Sequence, residues 1–337
     1  MMKSEGFYYG GLRSDGVYTQ MCDSCFTSQK NIVLDIQSHA VKQKIIELAK
    51  KELSNRKIPY TDFCIADGSG GIFCSEFKII DSDFYTEKKD NDVTVSGDIF
   101  SEKIQEEIEK NAAEKNKNLL RAQRFISACN NINNDVIRLT ESYINRTKIN
   151  RFSFNLWQKI SNGMKGHIGT ETKRYVTCLT AEGVELNMSA FDELCKKMLV
   201  INDRTGACAR IIIDRLRRYA ISSGYDIISC PCTVNENLIE HLIIPELEYG
   251  VFTSKHYHRD DFNNVRKIYA KRFLYPSVEN IKVRTDFSIR TYRRLMDEVF
   301  VSLENIKETN RNLDKIILVN TDINKLNKIV KSIILNS

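Results

Sequence analysis

Two short loops in this chain carry residues of the kind that cradle a phosphate, each lying between an apolar run and an amphipathic stretch. The first is Ile36-Gln37-Ser38-His39-Ala40-Val41-Lys42-Gln43, and the second is Ile201-Asn202-Asp203-Arg204-Thr205-Gly206-Ala207-Cys208-Ala209. A working phosphate loop needs glycines, so that successive backbone N–H groups converge on the oxygens. It also needs a lysine for the terminal phosphates and a Ser or Thr hydroxyl for Mg²⁺. Both loops are worn by that standard. The first keeps Lys42 but has no glycine, and Gln43 stands where the hydroxyl belongs. In the second, if Gly206 is the glycine that precedes the lysine, Ala207 takes the lysine position and Cys208 the hydroxyl position. A loop without glycine does not readily adopt the positive-φ turn of a phosphate nest, although a helix N-terminus still offers partial positive charge to an anion. Lys42, Gln43, Thr205, Gly206, Ala207 and Cys208 are therefore the candidate binding residues, as vestiges of two phosphate loops. ATP with Mg²⁺ is the only cofactor they point to, and no catalytic residue, metal ligand or acidic Mg²⁺ partner is assigned.

The elements that must position these loops occur twice. Leu12-Arg13-Ser14-Asp15-Gly16-Val17 returns as Leu179-Thr180-Ala181-Glu182-Gly183-Val184, a displacement of 167 residues. Repetition decides architecture before any motif does. In the first copy Phe7 to Tyr9, Ile32 to Leu34 and Phe63 to Ala66 are expected as strands, with a helix over Lys42 to Leu53. In the second, strands are expected at Tyr175 to Leu179, Met198 to Ile201 and Ile227 to Cys230, with a helix from about Ala209 to Ile221 that stops at Gly224. Strand and helix in alternation imply a parallel sheet. Charged stretches with helical apolar spacing close each copy and predict a helical hairpin appended to each, the second ending in a helix capped by Thr321-Asp322. Trp157, the only tryptophan, is expected to pack the tail of the first copy onto the first domain. The expected architecture is α/β, two tandem three-layer domains with mostly parallel sheets, divided into 1–163 and 164–337 at the polar run Ser161 to Gly166.

Composition excludes several classes. The 337 residues suit two domains, and no apolar run approaches the ~20 residues of a membrane-spanning helix. The first residues have no apolar core, so no secretory signal is read and a cytoplasmic protein with reduced thiols is expected for the ten cysteines. Cys22-Asp23-Ser24-Cys25, and Cys230-Pro231-Cys232 with His256 and His258, have the spacing of a metal knuckle or redox dithiol, against the plainer reading of ordinary thiols. The net charge of +6 is modest. Its basic residues gather in the second copy, among them Arg210, Arg215, Arg217, Arg218, Arg266, Lys267, Lys271 and Arg272. They read first as solvated helix faces, and no nucleic-acid motif accompanies them. Nucleic acid is thus not an expected partner, whereas an unidentified protein partner and a nucleotide are.

The chain resembles an uncharacterised group of bacterial ATP-binding proteins built from two P-loop domains in tandem. The resemblance covers nearly the whole chain and rests on Asp15-Gly16-Val17, Glu182-Gly183-Val184 and, above all, Leu242-Ile243-Ile244-Pro245-Glu246-Leu247 after Cys230-Pro231-Cys232. It implies a P-loop NTPase fold in each copy, with Lys42 matching the first loop lysine and Thr205-Gly206 the dipeptide before the second. This chain departs from the group at Val41, Gln43, Ala207 and Cys208. The expected function is a degenerate, non-hydrolysing scaffold or regulatory protein with weak or no nucleotide binding. The alternatives are a functional ATPase and a thiol-dependent metal or redox protein.

Overall fold

The computed structural model describes residues 10–13, 16–19, 30–36, 39–58, 60–64, 70–74, 77–81, 93–95, 102–255, 265–320, 326–328 and 330–332. The strand expected at Phe7 to Tyr9, the Cys22/Cys25 pair, His256, His258 and the Thr321-Asp322 cap lie outside these residues.

The repeated signature forms hairpins. Strands β1 (Gly10–Arg13) and β2 (Gly16–Thr19) pair antiparallel in the first copy. The first copy continues with β3 (Lys30–Leu34), α1 (His39–Asn55), β4 (Tyr60–Cys64), β5 (Gly70–Cys74), β6 (Phe77–Asp81) and β7 (Val93–Val95). Two helices follow, α2 (Glu102–Glu141) and α3 (Arg146–Ile160). The second copy comprises β8 (Glu171–Lys173), β9 (Thr177–Thr180), β10 (Gly183–Leu186), α4 (Ser189–Leu194), β11 (Lys197–Asn202) and α5 (Ala207–Ser222). After these come β12 (Ile227–Pro231), β13 (Ile239–Ile244), β14 (Tyr249–Ser254), β15 (Arg266–Tyr269) and α6 (Lys282–Asn320). Strands β9 and β10, the second appearance of the signature, make a two-stranded sheet of their own.

The two main sheets share one plan. Their orders are β4-β5-β6-β3-β7 and β12-β13-β14-β11-β15, the second extended by β8 at its edge. In each, the strand before the loop lies parallel to two neighbours, β3 to β6 and β7, β11 to β14 and β15. All strands of each sheet run one way except β5 and β13, which pair antiparallel on both sides. The chain is thus α/β with mostly parallel sheets, but the expected alternation breaks at these two strands. Only residues 232–238 join β12 to β13 and only 65–69 join β4 to β5. A crossover to a parallel neighbour needs a dozen or more residues, so these links must turn back as antiparallel connections.

Local chemistry sets the element ends. In β11, Leu199, Val200 and Ile201 are buried in succession, as befits a central strand covered on both faces. In α5 the buried positions Cys208, Ala209, Ile212, Ile213, Leu216 and Ala220 keep helical spacing. That helix closes where expected: Gly224 takes a φ of +87°, its N–H donates to Ile221 O at 3.1 Å, and Tyr225 N–H donates to Ala220 O at 3.0 Å. This is a Schellman cap, which glycine adopts without steric cost.

The tails are helical as expected, and residues 326–328 and 330–332 are helical where the final helix of the second tail is expected. Helices α2 and α6 contain no glycine or proline, so nothing interrupts them over 40 and 39 residues. Helix α3 packs on α5.

Compactness groups the residues differently from the sequence division at 163. One unit comprises Met1–Gln123, Leu179–Gly183 and Val299–Ser337, the other Arg124–Cys178 and Val184–Glu298. In the first unit, α1 buries Val41, Ile45, Ala49 and Leu53 against Ile32, Leu34, Ile72 and Phe77. Ile108 of α2 joins that core, as do Leu313, Leu326 and Val330 from the end of the chain. In the second unit, α5 packs with Ile137, Ile144, Ile149, Leu156 and Trp157 from the first copy's tail. Trp157 lies 5.6 Å from Tyr225, edge to face, and 6.4 Å from Tyr219. Its expected place on the first domain is therefore corrected: it is a core residue of the second unit. Each core is completed by helices that follow the other copy in sequence.

Candidate functional site

The second loop sits at the end of its sheet's strands, where β11 and β14 end and β13 begins. Asn202 pairs with Ser254, so the residues that follow them, Asp203 and Lys255, leave the sheet side by side. The Asp203 N–H donates to Ser254 O at 3.0 Å. Glu240 enters the same end from the antiparallel strand β13.

Asp203 controls the loop. One carboxylate oxygen accepts from the N–H groups of Cys208 and Ala209, each at 2.8 Å, and the other from Thr205 N–H and the Thr205 hydroxyl at 3.1 Å. Ala207 N–H points to the Thr205 hydroxyl at 3.5 Å, a marginal contact. The first turn of a helix leaves its N–H groups without intrahelical partners, and those are the groups that would receive a phosphate. Here an internal carboxylate, 3 % exposed, takes the two best-placed donors and complements the helix dipole.

Lys255 closes the loop from below. It forms an ion pair with Glu240 in which the side chains are 4 % and 2 % exposed. Burial alone would lower the Lys255 pKa, but the charge of Glu240, followed by Cys232 and Asp203, outweighs it and holds the ammonium above its ordinary value. Thr253 supports the same end: its hydroxyl donates to Glu240 O at 2.6 Å and its N–H to His241 Nδ1 at 3.2 Å. The His241 ring stacks on Phe252 at 4.3 Å. Tyr292 of α6 lies close by, its phenol pushed well up by burial and then by Cys232, Cys129 and Glu240.

Gly206 joins these parts. Its φ is +76°, and a Cβ there would meet Lys255 Cε at 2.6 Å and Nζ at 2.8 Å. Left-handed backbone costs a residue with a side chain ~1–2 kcal/mol, and Lys255 is pinned by Glu240. Gly206→Ala is expected to lower stability by at least that amount, measured as a shift in urea midpoint at constant slope. An unchanged midpoint would contradict the geometry.

The candidate residues are placed as follows. Thr205 and Gly206 form the turn, and Ala207 and Cys208 are fully buried in the first turn of α5. Burial, then the Asp203 charge, raises the Cys208 thiol pKa, so it is a poor nucleophile. Lys42 and Gln43 lie in α1, with Lys42 2 % exposed and Gln43 half-buried. Residues 37 and 38 of the first loop are outside the described set. Cys230 and Cys232 are fully buried, and burial raises the Cys230 thiol before the nearby Cys195 adds to it. Among the described residues no group of three His, Cys, Asp or Glu side chains is arranged to hold a metal ion. No helix among them is long and apolar enough to cross a membrane.

Sequence reasoning missed Asp203, Glu240 and Lys255. Asp203 had a usable signal, an acidic residue just ahead of a helix start. Glu240 and Lys255 sit on separate strand ends 15 residues apart, and nothing in their spacing announces a pair. Comparison with protein families, with curated protein sequences and with solved structures gives no match for this chain.

Proposed function

We propose that this chain is a non-hydrolysing scaffold or regulatory protein, a degenerate relative of tandem P-loop ATP-binding proteins. The observation that carries this reading is the Asp203 carboxylate on Cys208 N–H and Ala209 N–H, where a nucleotide phosphate would be held. An anion entering that turn must displace a buried carboxylate and meet the negative charge it leaves nearby. Lys255, the cation against Gly206, is already paired with Glu240. The second loop keeps the shape of a phosphate turn and fills it from within.

The test is thermal melting of the reduced protein with and without millimolar Mg²⁺-ATP, since a ligand of the folded state alone raises its stability. No shift and no Mg²⁺-dependent phosphate release are expected. Mg²⁺-dependent phosphate release would overturn the reading, whereas an upward shift without release that is lost in Lys42→Ala would assign weak binding to the first copy and leave the second loop filled. Asp203→Ala should cost ~1–2 kcal/mol as a lost cap. Inorganic phosphate should recover part of that loss in the variant while leaving the wild type unchanged. Equal responses to phosphate would count against an internally filled site.

A further inference from the structure

A second feature of the Arg124–Cys178 and Val184–Glu298 unit lies away from the loop. A cavity of about 540 Å³ opens between α3, the edge strand β15 and the turn that follows it. Among the described residues five cations line it, Lys148, Arg151 and Lys159 from α3 with Arg266 and Arg272, and no carboxylate does. Among the described residues none of the five forms an ion pair, whereas Arg210 pairs with Glu141, Arg217 with Glu171, Arg218 with Asp214 and Lys271 with Glu279. The larger cavity beside α5, about 620 Å³, shows the contrast: Glu171, Asp214 and Glu236 stand among its arginines.

The floor of the cleft is aromatic. Phe152 and Phe273 meet at 5.2 Å between ring centres, and the Arg272 guanidinium lies 5.8 Å from one ring and 5.4 Å from the other. The two rings fix Arg272 by cation–π attraction without neutralising it. Five like charges around one cleft repel one another unless an anion sits among them.

We propose that this cleft binds the sugar–phosphate backbone of a nucleic acid. The layout of the charges selects a polymer over a single phosphate. Lys148, Arg151 and Lys159 recur on one side of α3, and at 1.5 Å per residue the first and last are ~16 Å apart. One phosphate group cannot span that distance. A nucleic-acid strand places a phosphate about every 3.4 Å along a duplex axis, so about five or six successive phosphates match it. Contacts of this kind fix position without reading sequence, which agrees with the lack of any base-reading motif in the chain.

The experiment is fluorescence anisotropy of the full chain with a labelled 20-nucleotide strand, alone and annealed to its complement, from 50 to 200 mM KCl. Five phosphate contacts predict a log K against log salt slope of about −4.5 on the duplex and −3.5 on the single strand. Arg151→Gln, Lys159→Gln and Arg266→Gln combined should weaken binding more than tenfold at low salt and flatten the duplex slope by ~2.7. All three residues are exposed, and a melting curve checks that the variant folds. The control combines Lys196→Gln, Arg218→Gln and Lys271→Gln, equal in charge change but drawn from paired cations, and should bind like the wild type. No wild-type binding at 50 mM salt, or equal loss in both variants, would overturn the proposal. So would equally tight, equally variant-sensitive binding of a polyglutamate peptide, which would point to an acidic protein partner.

Discussion

Replacing Lys255 by methionine is expected to destabilise the second sheet's unit by about 3–5 kcal/mol, because it strands the Glu240 carboxylate in the interior. The two side chains are 4 % and 2 % exposed, so water cannot replace the lost partner. Glu240→Gln should cost a comparable amount by stranding the ammonium. The pair itself is worth far less than either loss, since desolvation consumes most of the attraction between two buried charges. Lys255→Met with Glu240→Leu should therefore recover much of the stability lost by either single change. Urea unfolding of the four proteins closes the cycle, and single losses below ~1 kcal/mol would show that the pair is solvated. The pH dependence has a definite sign. Lys255 is held above its ordinary pKa, so its contribution is complete below about pH 10.4, the unfolded value, and is lost as pH rises through the folded value. Activity measurements are not needed for this test, which separates it from any outcome with ATP.

The legible part of this fold was local. The apolar runs Ile32 to Leu34 and Leu199 to Ile201, the helical stripe of α5 and the glycine that ends it all act over a few residues. Such features leave a periodicity or a turn residue behind. The reversal of β5 and β13 was also written in the chain, as links too short for a crossover, but alternation of strand and helix suggested parallel neighbours. The filled loop was harder to read. Asp203, Glu240 and Lys255 come from three strand ends that only the sheet order brings together, and buried charge on a strand has no periodic mark. The candidate residues named from the loop pattern, Thr205, Gly206, Ala207 and Cys208, describe its outline. The residue that fills it stood two positions upstream of Thr205.

Trp157→Ala is the second large effect, about 3–5 kcal/mol for a buried tryptophan truncated in a packed core. Where that loss falls matters more than its size. Trp157 belongs by sequence to the first copy, but its ring packs on Tyr219 of α5 and on Tyr225. Amide hydrogen exchange is therefore expected to accelerate in α5, β12 and α3, with α1 and β3 keeping their protection. Leu326→Ala should do the converse, loosening α1, because Leu326 is buried with Ile45, Ala49 and Leu53. If Trp157→Ala loosens α1 instead, the tail of the first copy serves its own sheet and the exchange of helices between cores is wrong. The same exchange bears on dissection of the chain. A fragment ending at 163 keeps β3 to β7 and α1 but lacks Leu313, Leu326 and Val330, so it loses part of the apolar cover over α1. It should expose that surface and bind a hydrophobic dye, whereas the intact chain should not. A sheet whose core is finished by helices from the other half of the chain cannot be cut away with that core intact.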